Sequence, residues 1–279
     1  MRCVRTGFAA IIFAAFASLL PGAVQAATPA EMFGKSKEGS AATVDHSAWT
    51  KLLSQYVVAG PDGLNRVRYA DFKKEGQQAL KAYVKSLEGV DVASLGRSEQ
   101  WAFWANLYNA KTIDIVLDAY PVKSIKDISL GGSLTAAFTG GPWKAKVLKV
   151  AGQDLSLDDI EHGILRPVFK DPRVHYSVNC ASIGCPNLMR EAFTGAKLDA
   201  QLDAGAKAYI NTPRGFNVSG GKVTASSIYD WFKADFGGNA AGVLAHAKTF
   251  ADPALKQKLE SITTISGYDY NWSLNDAAH

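Results

Sequence analysis

The sequence predicts a single α+β domain, and three observations carry that reading. Segments of helical periodicity are mixed with short hairpin signals, without the regular strand–helix alternation of a doubly wound sheet. Residues 99–119 are apolar nearly all round, as a helix at the centre of a core must be. No repeat or low-complexity tract divides the remainder, whose length suits one large domain. The expected architecture is a central buried helix packed on a small antiparallel sheet, within a domain covering residues 45–279.

The elements follow in chain order. Residues 1–26 read as a secretory signal. Arg2 and Arg5 give a basic start, Phe8 to Leu20 an apolar run, Pro21-Gly22 a break, and Val24-Gln25-Ala26 small residues for cleavage near Ala26. The apolar run is short for a bilayer span, which needs about 20 residues. No later segment is apolar enough to span. The expectation is a periplasmic or secreted protein with no membrane span after cleavage. Residues 27–44, rich in Ala, Ser, Gly and Lys, read as a flexible lead-in.

Asp45 caps a helix carrying Trp49, Leu52, Leu53 and Tyr56 at helical spacing. Gly60-Pro61-Asp62-Gly63 is a turn, Val67 to Tyr69 a short strand, and 71–88 a helix. Ser98 is the expected cap of the central helix, and Pro121 follows its end. Lys111, Asp114 and Asp118 form its one exposed stripe. Asn106 and Asn109 lie among apolar residues, and buried amides need partners. The loop bracketed by Gly131-Gly132 and Gly140-Gly141-Pro142 lacks the Gly-Lys-Ser/Thr ending of a phosphate loop.

Further on, a hairpin turns at Ala151-Gly152, and Ser156 caps a helix running to about Arg166. Val174 to Cys180 reads as a strand, and about 196–211 as a helix. A second hairpin turns at Gly220-Gly221. Helices are expected at about 226–236, 240–250 and 253–259, and a strand within 262–274.

Charge excludes one class of function. Arg2 and Arg5 account for two of the 30 basic residues, leaving 28 against 26 acidic ones, a net charge of +2 after the signal. With no basic run or patch, nucleic acid is not an expected partner.

The chemistry concentrates in Arg173-Val-His-Tyr-Ser-Val-Asn-Cys-Ala-Ser-Ile-Gly-Cys-Pro-Asn-Leu188. It holds both cysteines that remain after the signal, Cys180 and Cys185. A thiol beside free turn amides could have a lowered pKa and bind an oxyanion. Four intervening residues equally allow a local disulfide, which export permits. Two buried thiols acting as small apolar groups complete the alternatives. His175 is the natural base, although on a straight strand it faces away from Cys180. Glu161 falls on the apolar face of its helix and needs a partner. It either orients His175 as a third member or pairs with Arg166 or Arg173 as structure. His162 reads as a surface residue. The Cys-x4-Cys spacing is loose and His-Glu-x-x-His is absent, so no metal is expected. The C-terminal aromatics Tyr229, Trp231, Phe232, Phe236, Tyr268, Tyr270 and Trp272 read as core.

Three blocks resemble a known family. They are Glu99-Gln-Trp-Ala-Phe-Trp-Ala-Asn-Leu-Tyr-Asn-Ala110, Leu157-Asp-Asp-Ile-Glu-His-Gly-Ile-Leu-Arg166, and Asp171-Pro-Arg-Val-His175 running into Asn179-Cys-Ala-Ser182 and Cys185-Pro186. Long and in order, they resemble the domain of unknown function 547 family over about residues 45–275. Their order is similar to that of papain-like and transglutaminase-like folds, in which a buried helix presents a nucleophile to a histidine. The corresponding helix position in this chain is Asn106, not a cysteine.

Two functions are expected first, ahead of a third in which the chain is a structural partner protein with its aromatic C-terminal half as an interface. In the first, a thiol-centred cleft performs acyl transfer or amide hydrolysis on a peptide-like substrate without a cofactor. Cys180 attacks, His175 moves the proton, Glu161 or Asn106 orients it, and Asn109, Tyr108 and Ser182 with its neighbouring amides hold substrate and oxyanion. In the second, the same cleft binds a small peptide or thiol compound without turnover, and Cys180–Cys185 is a structural bridge.

Overall fold

The computed structural model describes residues 27–130 and 141–278. The expected signal, residues 1–26, lies outside the described residues, as do residues 131–140 of the glycine-bracketed loop.

The central helix, Arg97–Ala119, has 18 of its 23 residues buried, which is why its sequence is apolar around the whole circumference. Trp104, Phe103 and Val116 are fully enclosed. Burying each such side chain contributes roughly 1.5–3 kcal/mol. The cap is Gly96, with no side-chain bond, so Ser98 lies within the first turn instead of ahead of it. The expected exposed stripe is only partly exposed. The helix Gln77–Leu87 packs across that face and brings Lys81 over it. Asp114 is buried there, 2.7 Å from Lys81 Nζ and 2.8 Å from Lys111 Nζ. Asp118 stays exposed and meets the same Lys81 at 2.9 Å.

The fold is mixed α and β, but the helix does not rest on one sheet. Its neighbours are helical: Gln77–Leu87, Asp159–Phe169 and Leu198–Ile210. Strands form three small sheets. β1 (Val57–Ala59) pairs with β2 (Asn65–Val67), and β3 (Leu148–Val150) with β4 (Gln153–Leu155). β5 (Phe216–Ser219), β6 (Lys222–Ser226) and β7 (Gly267–Asp269) form the third, in which β6 and β7 run parallel. Both expected glycine hairpins are present. Ala151 and Gly152 have φ of 48° and 80°, Gly220 and Gly221 of 56° and 72°, the left-handed pairs that two-residue hairpin turns require.

Three local expectations give way for identifiable reasons. Within the expected lead-in, Pro29–Phe33 forms a helix with a Thr28/Glu31 capping box. Phe33 is buried edge-on against Trp104, ring centroids 5.1 Å apart. The helix begun at Ser156 does have its Oγ accepting from Asp159 N–H at 3.1 Å. Beyond it, Asp159–Phe169 winds with wide i→i+5 turns and contains Pro167. Finally, Val174 to Cys180 is not a strand. The Asp171 carboxylate accepts the Arg173 N–H at 2.8 Å, Pro172 takes the first helical position, and Pro172–Tyr176 forms a 3-10 helix. Strand alternation therefore does not govern where His175 and Cys180 point.

A second core fills the C-terminal half around Tyr176, Tyr209, Tyr229 and Phe236. The cleft described next is lined by residues of both cores, Tyr108 and Val178 from the first and Ile228 from the second.

Candidate functional site

A cleft of about 250 Å³ opens where five parts of the chain meet. The central helix contributes Tyr108. The wide-turned helix and the residue before it contribute Glu161, His162 and Asp158. The segment 175–186 contributes His175, Cys180 and Cys185. The C-terminal part adds an aromatic wall of Trp231, Phe232, Tyr270 and Trp272, which Trp143 continues. Tyr270 lies 4.9 Å from Trp231 and 4.7 Å from Trp272, and Trp143 lies 5.8 Å from Trp272 between ring centroids. Of the residues expected at a shared site, Tyr108, Glu161, His175, Cys180 and Cys185 line this cavity, whereas Asn106, Asn109 and Ser182 are not among its lining residues, and the bonds differ from those expected.

His175 is 2% exposed. Its Nε2 lies 2.7 Å from Asp235 Oδ2, and its ring stacks on Phe232 at 4.5 Å. Asp235 in turn accepts from Arg166 Nε at 2.6 Å and Nη2 at 3.1 Å. Burial pushes the Asp235 carboxyl up, but the bonds to His175 and Arg166 outweigh it and hold it well below the usual carboxylate range. The group that orients His175 is therefore Asp235, not Glu161.

Glu161 also lacks the structural partners expected for it. Arg166 is engaged by Asp235, and Arg173 by Asp171, Asp199 and Asp203 at 2.7, 3.0 and 2.8 Å. Among the described residues, the only basic group within reach of the Glu161 carboxylate is the His162 imidazole, at 4.0 Å. The Glu161 side chain is nevertheless only 12% exposed. It lies beside the Tyr108 hydroxyl, whose pKa is raised well above normal by burial first and by this carboxylate second. Asp158 nearby also has a raised pKa. Burial raises it most and Glu161 adds to that, while His162 and Lys144 oppose it.

The two asparagines face backbone, not substrate. Asn106 Nδ2 donates to the Phe193 carbonyl at 2.8 Å, and its Oδ1 accepts the Phe193 N–H at 2.9 Å. Asn109 Nδ2 donates to the Ser177 carbonyl and its Oδ1 accepts the Asn179 N–H, each at 2.8 Å. Each amide is thus a clamp that ties an irregular segment to the central helix through both its oxygen and its nitrogen. The Ala181 amide is likewise taken, by Asn179 Oδ1 at 2.9 Å.

Cys180 and Cys185 are joined as a disulfide, Cα atoms 6.3 Å apart. Of the alternatives open in the sequence, this is the one adopted. The Cys180 N–H points at Cys185 Sγ at 2.9 Å. The Tyr270 hydroxyl lies 3.0 Å from Cys185 Sγ and 3.1 Å from Cys180 Sγ. Ser182 is buried behind it, its Oγ 2.9 Å from the Tyr270 oxygen and 3.3 Å from Cys180 Sγ. Gly184 permits this arrangement. A Cβ there would stand 2.9 Å from both the Tyr270 ring and the Asn271 backbone nitrogen, so a side chain would force one of them to shift.

Asp235, Asp158, Lys144 and the aromatic wall were not legible as site residues. Asp235 meets His175 only through the fold, 60 positions away. The aromatics do carry one signal in the sequence. Tyr268, Tyr270 and Trp272 alternate along the tail, so they share a face, and Trp231, which Trp272 stacks on at 5.7 Å, is 47% exposed.

No curated protein matches this chain, and no solved structure does. Among the described residues no helix is long and apolar enough to cross a membrane. Residues 92–210 match the family model described as Protein of unknown function, DUF547. That stretch contains all three sequence blocks and ends before Asp235 and Tyr270. Through the region from Val92 to Ile210, the chain is similar to the DUF547 family.

Proposed function

We propose that this is a ligand-binding protein whose cleft holds a small peptide-like compound by a cationic group. The observation that carries the reading is Glu161. Its carboxylate is nearly buried, faces an aromatic-lined cavity, and has no lysine or arginine partner among the described residues. An unpaired buried carboxylate is costly, and a ligand ammonium or guanidinium would remove that cost. The tryptophan and tyrosine faces would add cation–π attraction of about 0.5–2 kcal/mol. Lys144, also at the cleft, offers the opposite charge to a ligand carboxylate. A short peptide or amino-acid-like zwitterion meets both demands.

Acyl transfer fits these bonds less well. It needs a Cys180 thiolate, and Cys180 is bonded to Cys185. It needs oxyanion donors, and Asn109 and the Ala181 amide are engaged elsewhere. Export to the periplasm or beyond remains part of the proposal, because it would keep the bridge oxidised.

Calorimetric titration with lysine- and arginine-containing dipeptides tests the reading. Binding is expected, with a Glu161→Gln variant weaker by roughly tenfold or more, since hydrogen bonds to charged groups are worth about 1.5–3 kcal/mol. Trp231→Ala should also weaken it. Equal affinity for the same dipeptides with every amine acetylated and guanidinium removed, or no heat with any of them, would defeat the proposal.

A further inference from the structure

We infer that the Cys180–Cys185 bridge is an exchange site for a low-molecular-weight thiol, not an inert staple. The inference stands apart from the cationic ligand and rests on the surroundings of the two sulfurs. Both line the cleft, but unequally: Cys185 is 4% exposed, whereas Cys180 is half-buried. An incoming thiolate therefore meets Cys180 first.

The inner sulfur is prepared to leave. Cys185 Sγ already lies 2.9 Å from the Cys180 N–H and 3.0 Å from the Tyr270 hydroxyl. Tyr270 has one proton to give, and its oxygen can accept from Ser182 Oγ at 2.9 Å, which leaves that proton free for the sulfur. Positive charge is close as well. Arg214 donates through Nη1 to the carbonyls of Ile183 and Cys185 and through Nη2 to Asn187 Oδ1 at 3.0 Å, bracing the turn that holds Cys185. Hydrogen-bond donors and a nearby guanidinium are the features that lower a cysteine pKa, and a leaving thiol of lower pKa leaves faster.

The step balances without another reactant. The thiolate RS⁻ forms a bond to Cys180 Sγ, the Cys180–Cys185 bond breaks, and its electron pair goes to Cys185 Sγ. The products are a Cys180 mixed disulfide and a Cys185 thiolate held by Tyr270 and the Cys180 amide. A second RS⁻ attacking the mixed disulfide releases RSSR and leaves the protein as a dithiol, its two thiolates taking protons from solvent.

Glutathione is the probe. Native protein is incubated with reduced and oxidised glutathione at several ratios, quenched with acid, and mapped by mass spectrometry. The expected result is reversible interconversion under native conditions, with the glutathione adduct on Cys180. Tyr270→Phe should slow reduction by roughly tenfold through loss of the donor to the leaving sulfur. A Cys185→Ser variant should accumulate the Cys180 adduct. If that variant does not fold, quenched time points of the unmodified protein give the same adduct assignment. A bridge that glutathione reduces only after denaturation, or an adduct that forms first on Cys185, would overturn the inference.

Discussion

Replacing Asn106 by leucine is expected to destabilise the protein by about 2–5 kcal/mol while removing no group that touches the cleft. The side chain is fully buried, and both of its ends bond to the backbone of Phe193. Leucine has nearly the same volume, so no large cavity forms. What it leaves is a buried N–H and a buried C=O without partners, each costing about 1–3 kcal/mol. The measurement is urea unfolding followed by circular dichroism, compared at equal m-value. A loss below about 0.5 kcal/mol, the range of ordinary surface substitutions, would mean that Phe193 does not depend on this clamp. An oxyanion-binding asparagine would behave in the opposite way, since its removal would spare folding.

The second large effect is loss of stability in mild acid. His46 is buried, with Nδ1 2.6 Å from the Tyr83 hydroxyl and Nε2 without a partner among the described residues. Burial lowers its pKa to about 4, against the opposing pull of Glu99 and Asp45. His246, stacked on Tyr176 at 5.8 Å, is also lowered to about 4, by burial first. The folded state thus keeps both imidazoles neutral at pH values where the unfolded chain protonates them. Their contribution is fully present above about pH 6.5 and is lost as pH falls toward 4. At about 1.36 kcal/mol per pH unit, His46 accounts for up to about 3 kcal/mol of that loss. His246 accounts for less, because it is only half-buried. Asp235 is held well below the usual carboxylate range, so its contribution disappears only at more acidic pH. Urea midpoints measured from pH 7 to 4 should fall steadily, and His46→Leu should flatten the profile. A midpoint unchanged between pH 6.5 and 4.5 would show that these histidines are not held neutral.

The division between what the sequence revealed and what it concealed follows from the range of the interactions. The central helix was legible because burial on every side leaves almost no polar residue to place. The two glycine hairpins were legible because positive φ restricts composition locally. The need of Asn106 and Asn109 for partners could be read from their apolar neighbours, but the partners themselves, Phe193, Ser177 and Asn179, lie 68–87 positions away. Val174 to Cys180 imitates a strand because its alternation is genuine. It fails as one because Asp171-Pro172 starts a 3-10 turn first. The wide turns of Asp159–Phe169 have no distinct periodicity signal, so the direction of Glu161 could not be read from helical spacing. Asp235 escaped for the simplest reason. Nothing near it in the chain suggests an imidazole, and only the packing of Lys233–Phe236 against His175 through Phe232 and Phe236 supplies one.

The reading of the cleft as a binding site depends on both sulfurs being engaged with each other in the native protein. Iodoacetamide labelling of protein purified without reductant, followed by intact-mass and peptide analysis, measures this directly. The expected result is no label on Cys180 or Cys185 and a mass about two units below that of the reduced chain, the two hydrogens lost on forming one bridge. A carboxamidomethyl group on Cys180 of the native, unreduced protein would contradict it and return the free thiol to the centre of the cleft.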